Sequence, residues 1–91
     1  MSNRVPPATS RQIFDELSLA KCEISNMVAA EVGYLGSPRL EHIKMADLMI
    51  EARMVALEAN PNLKKPTTPI DKAVQRFIDL NREYAAAAEI A

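Results

Sequence analysis

Tryptophan is absent from this chain of 91 residues, and two Phe and two Tyr are its only aromatics. Any core must therefore be built from aliphatic side chains, Met and Ala. One cysteine, Cys22, excludes an internal disulfide framework and CxxC metal sites. It projects to the polar side of its helix and reads as a solvent-facing thiol of a reducing compartment. One histidine, His42, leaves no His-based metal cluster within one chain. Glu-x-x-His, the di-metal pattern of helical bundles, is absent too, because Arg39 stands three residues before His42. The two glycines, Gly33 and Gly36, make no phosphate-cradling loop, and HExxH and a nucleophile elbow are missing. No catalytic residue, metal or cofactor is expected, because an acid–base pair needs a positioned partner. An enzyme is not expected.

Charge of one sign is also lacking. Eleven Lys and Arg against twelve Asp and Glu give a net charge of −1. That argues against a duplex-DNA binder, which usually carries a basic excess. No apolar run approaches the roughly 20 residues that span a bilayer, so no membrane partner is expected. The first ten residues, MSNRVPPATS, have no apolar core of a signal peptide. The chain reads as cytoplasmic, in the host cytoplasm if it is viral.

What is present is helix. Residues 1–8, with Pro6-Pro7, read as an extended arm, and 9–91 as a single helical domain. Thr9 and Gln12 form a T-x-x-Q capping box that opens a helix over 9–32. Ile13, Leu17, Ala20, Ile24, Met27 and Val28 make its apolar stripe, and Gly33 stops it in the left-handed conformation. Ser37 is expected to cap a second helix over 38–60, with Pro38 at its first position. Residues 60–69, NPNLKKPTTP, are a joint stiffened by proline. Thr68, Pro69 and Asp71 then restart a helix over 69–90. Ile70, Ala73, Val74, Phe77, Tyr84, Ala85 and Ala88 would be its buried face, with Asn81 at the centre as a polar residue that fixes register or oligomer state, or else contacts a ligand. The fold class is all-α. It is either a three-helix up-down-up bundle or a helical hairpin whose third helix packs on a neighbouring subunit.

The second helix carries the strongest signal. In Arg39–Ala59, RLEHIKMADLMIEARMVALEA, the residues Lys44, Asp47, Glu51 and Glu58 fall in a polar wedge about 60° wide at roughly 100° per residue. Nearly everything else on the circumference is apolar. A helix apolar on most sides must be buried on more than one, and 91 residues make a marginal core. A homo-oligomer, or a partner covering one face, is expected. A recognition helix needs an exposed polar face, so this one does not fit a DNA major groove.

His42 and Arg53 project into the apolar arc of that helix, roughly 16 Å apart along its axis. Each reads either as a satisfied structural group or as a contact to an anionic ligand. In an up-down-up bundle, Arg4, Arg11, Lys64, Lys65 and Lys72 share one end with Thr67 and Thr68. Two helix N-termini point there, so the end reads as a solvated charged pole or a phosphate site. Tyr34, Arg39 and Arg82 would share the other end. The candidate ligand-binding residues are thus Arg53, His42, Arg11, Lys64, Lys65 and Lys72.

Residues 19–60 form a helical hairpin with Arg39, Ile43, Met45 and Leu48, then Glu51-Ala52-Arg53-Met54-Val55-Ala56, on its second arm. This hairpin resembles that of the small phage anti-CBASS sponge proteins. The resemblance implies a compact helical oligomer that sequesters a cyclic oligonucleotide signal without cleaving it. It carries over no binding residue, and helix 69–90 has no counterpart in it. The expected function is therefore a non-catalytic binding protein, with a phage anti-defence sponge as its most specific form. The alternatives are a helical adaptor or inhibitor docking onto a host protein, and a structural assembly component.

Overall fold

The computed structural model describes residues 10–90, with side chains described over 11–87. Its elements are α1 (Ser10–Glu31), α2 (Leu40–Ala59) and α3 (Pro69–Ile90), and no strand occurs among the described residues. The arm 1–8, the Thr9 cap and Arg4 lie outside the described residues.

Local chemistry explains most of the helix ends. At the end of α1, Tyr34 N–H donates to the Ala29 carbonyl (2.9 Å) and Gly33 N–H to that of Ala30 (3.0 Å). This is the paired closure of a Schellman motif, and Gly33 adopts the φ of 77° that it needs. At the start of α3, Thr68 Oγ1 accepts from the Asp71 N–H at 3.1 Å, as the T-x-x-D spacing predicts. Asn60 ends α2, its N–H donating to the Ala56 carbonyl at 2.9 Å.

The start of α2 differs from the sequence expectation. Arg39, not Ser37, is the N-cap, with extended backbone at φ −92° and ψ 171°. The helix begins at Leu40, so Pro38 lies outside it. The physical reason is His42. Its Nδ1 accepts the Arg39 N–H at 2.9 Å, the reciprocal half of a capping box. Arginine has no side-chain acceptor, so the Arg39 carbonyl receives the His42 and Ile43 N–H groups.

The helices do not run up-down-up. Phe14 and Tyr84 rings lie 6.0 Å apart, Leu17 and Ala20 pack with Leu80, and Glu23 pairs with Arg76. Further along, Ile24 and Val28 share a cluster with Ala73, Val74 and Ile78. Met27, Ala30 and Glu31 line a concavity with Thr68, Pro69 and Ile70. As residue numbers rise on α1 they fall on α3, so the two are antiparallel. The third helix packs on its own chain.

The middle helix crosses this pair. Lys21 pairs with Asp47, and Arg53 bonds to Gln75. Both contacts sit near the level of the Glu23–Arg76 pair. Asp47 and Arg53 are nonetheless separated by roughly 9 Å of helix. The main core forms at the crossing, where Ala46 and Ile50 meet Ile24, Val28, Val74 and Ile78.

The stripe expected on α1 is enclosed: Ile13, Leu17, Ala20, Ile24 and Val28 are buried and Met27 is half-buried. On α3 Ala73 and Val74 are buried as expected, and Ile70, Phe77 and Tyr84 pack on the core, but the rest of the expectation needs correction. Ile78 and Leu80 are buried, whereas Phe77, Asn81 and Tyr84 are half-buried and Ala85 is exposed. The reason is that α3 has two neighbours. Alpha-1 takes Leu80 on one side of the face and α2 reaches Ile78 on the other, which widens the buried arc beyond a single stripe. The Ala88 side chain lies outside the described ones.

Candidate functional site

The crossing leaves α2 covered on one side only. Its buried residues are His42, Ala46 and Ile50, a single i, i+4, i+8 row. Leu40, Ile43, Met45, Leu48, Met54 and Val55 remain exposed, with Leu40 at 65% and Leu48 and Val55 both at 59%. Single exposed apolar residues are ordinary; a run of them along one helix marks an interaction surface. The chain's own helices thus do not enclose the middle one.

His42 is enclosed, at 6% exposure, and its ring is built into the fold. Nδ1 holds the Arg39 N–H, Nε2 lies 3.9 Å from Glu41, and the ring centroid lies 4.9 Å from that of Tyr34. An imidazole accepting at Nδ1 carries its proton on Nε2, which fits the carboxylate placed there. Tyr34 is likewise engaged: its hydroxyl accepts from Arg39 Nε at 2.8 Å, and the guanidinium lies 5.6 Å over its ring. These contacts tie the 32–39 joint to the first turn of α2. They leave the Tyr34 ring between the His42 imidazole and the Arg39 guanidinium.

Arg53 is half-buried on the α3 side of α2. Its Nε donates to Gln75 Oε1, and its Nη2 donates to the Lys64 carbonyl at 3.4 Å. Gln75 in turn donates to Asp79 at 3.0 Å, so the guanidinium is connected to a carboxylate through an amide. Sequence reasoning missed Gln75, because nothing in its spacing announces a partner 22 residues away. The concavity beside Arg53 also includes Asp71, Met49 and Ala52, so its electrostatics are mixed.

The basic pole does not assemble as the sequence reading placed it. Arg11 lines a concavity with Phe14, Asp15 and Tyr84, at the end of α1 that meets the C-terminal half of α3. Lys64 and Lys65 lie in the 60–68 joint and Lys72 in the first turn of α3, at the other end of the α1–α3 pair. Because α1 and α3 are antiparallel, their N-termini point to opposite ends. Arg82, on the C-terminal half of α3, is separated from Tyr34 and Arg39 for the same reason. What remains together is Arg53 with the 64–65 segment.

Cys22 is exposed and free. Among the described residues no group of three or more His, Cys, Asp or Glu is placed to hold a metal ion. No described helix is long and apolar enough to cross a membrane.

Comparison with known proteins gives no match: no family model, no curated protein and no solved structure.

Proposed function

We propose that this chain is a non-catalytic helical binding protein that acts as an assembly of copies. The uncovered face of α2 is its working surface. The observation that carries this reading is the set of exposed apolar side chains, Leu40, Met45, Leu48 and Val55, on one side of α2. In water such a set costs about 25 cal/mol per Å² until something covers it. The side chains that would do chemistry point the same way. His42 is occupied in capping α2, and Arg53 in bridging α2 to α3.

The most specific form is an anti-defence sponge of phage type that holds a cyclic nucleotide without cleaving it. Its support is the pair of exposed lysines, Lys64 and Lys65, in the joint that Arg53 holds against α2, where ammonium groups can meet phosphates. Calorimetry against a panel of cyclic di- and trinucleotides tests it. Heat with one member, lost in Lys64→Ala/Lys65→Ala, supports it; silence across the panel removes it.

A second reading is an adaptor or inhibitor that lays α2 against a host protein. It is favoured by Met45, exposed at 48% on the uncovered face, since methionine suits adaptable contacts. A partner recovered with the chain after nuclease treatment and dialysis, and lost in Leu48→Asp, would favour it over the sponge.

A further inference from the structure

Along α2, Met45, Leu48, Ala52, Val55 and Ala59 recur at alternating steps of three and four residues. These are the a and d positions of two heptads, covering roughly 21 Å of helix. All five are exposed. The seam lies away from the buried His42–Ala46–Ile50 row, so the chain's own fold does not use it. One flank carries Lys44, Glu51 and Glu58, all exposed and all at the g position. On the other flank stand Met49 and Ala56, at e and half-buried.

We infer that this seam is covered by the same seam of a second copy, running antiparallel. The inference deepens the reading of α2 as the working surface and rests on it. Two features select the occupant and its direction. The first is size. In an antiparallel pair centred on residue 50, Met45 faces the partner's Val55 and Leu48 faces the partner's Ala52. Each larger side chain meets a smaller one, and the gap stays even along the seam. A parallel pair would stack Met on Met and Leu on Leu at one end and Ala on Ala at the other, which splays the helices.

The second feature is charge. In the antiparallel register g faces g, so Lys44 meets the partner's Glu58 at both ends of the seam. In a parallel pair g faces e, and Lys44 would meet only Met49. The antiparallel register also sets Glu51 against the partner's Glu51 beside the two-fold axis. That repulsion weakens the dimer and makes it reversible. Asp47 does not compete for Lys44, since it pairs with Lys21 of α1. A seam this short belongs at the small end of specific interfaces, so dimerisation is expected as concentration rises through roughly 10–500 µM.

Sedimentation equilibrium of the full chain over that range tests the inference. The expected result is a reversible monomer–dimer equilibrium. Lys44→Glu weakens it about five- to ten-fold, and Lys44→Glu with Glu58→Lys restores it. Glu51→Gln tightens it several-fold. Leu48→Asp abolishes it. All these positions are exposed, so circular dichroism should show unchanged helix content in each variant. A chain that stays monomeric throughout overturns the inference, as does a dimer indifferent to Lys44→Glu or not rescued by the double exchange. A monomer that still gives heat with a nucleotide, or still captures a host protein, sinks the dimer and leaves the binding function standing.

Discussion

Replacing Ile78 by alanine tests whether the crossing of the three helices is the true centre of the molecule. Ile78 is 1% exposed and packs in the cluster that joins Ile24, Val28, Ala46, Ile50 and Val74. Alanine removes three carbons, worth about 0.8 kcal/mol each in transfer alone, or about 2.4 kcal/mol together. A cavity contribution brings the expected loss to about 3–4 kcal/mol, within the range for isoleucine to alanine in cores. A domain of 91 residues has only about 5–14 kcal/mol of total stability. The single change therefore takes a large share of it. Urea denaturation followed by circular dichroism, at low protein concentration, gives the loss directly. The melting temperature should fall by about 12–30 °C. The control is Leu48→Ala, at a position 59% exposed, which should cost under about 0.5 kcal/mol at the same dilution. Equal losses at the two sites, or a larger one at Leu48, would refute the placement of the core.

His42→Ala removes the acceptor for the Arg39 N–H and the ring against Tyr34; it should cost about 1–3 kcal/mol in urea denaturation. Hydrogen exchange at the Arg39 amide should also quicken. Gly33→Ala puts a side chain at φ 77° with open space around the new Cβ, so only backbone strain acts. The expected loss is about 1–2 kcal/mol in the same assay. Thr68→Ala should cost about 1 kcal/mol by removing the cap on α3, while Thr68→Ser should be close to neutral. Lys21→Ala and Arg76→Ala should each change stability by under about 1 kcal/mol, because both ion pairs are solvent-exposed.

The parts legible in the sequence are those governed by neighbours along the chain. The α1 stripe follows from a 3.6-residue period with one buried face, the stop at Gly33 from the need for positive φ, and the α3 start from a T-x-x-D box. The over-apolar α2 was legible for the same reason, and six of its larger apolar residues do stay exposed. What was not legible depends on contacts across the chain. Short joints favour antiparallel neighbours, but three helices cannot all be mutually antiparallel and also side by side. Here the contradiction is resolved by turning α2 across the other two. That single choice moves Arg11 away from Lys64, Lys65 and Lys72. It also buries Ile78, which lies off the face centred on Phe77 and Tyr84. The α2 cap was missed because His42 reads as an intruder in an apolar arc. Its acceptor role shows only once the Arg39 N–H is seen pointing at it.

The central claim is that one side of α2 is left bare by its own chain and closed by a partner. Solvent paramagnetic relaxation of the methionine methyl groups, followed through a dilution series, reads this most directly. Met45 lies on the seam, Met54 is exposed on the opposite side of the helix, and Met49 is half-buried. When dilute, Met45 should relax as fast as Met54 and faster than Met49. As concentration rises, Met45 should become protected while Met54 stays open. A Met45 shielded to the level of Met49 at every dilution would contradict the account, because the chain would then be covering that face by itself.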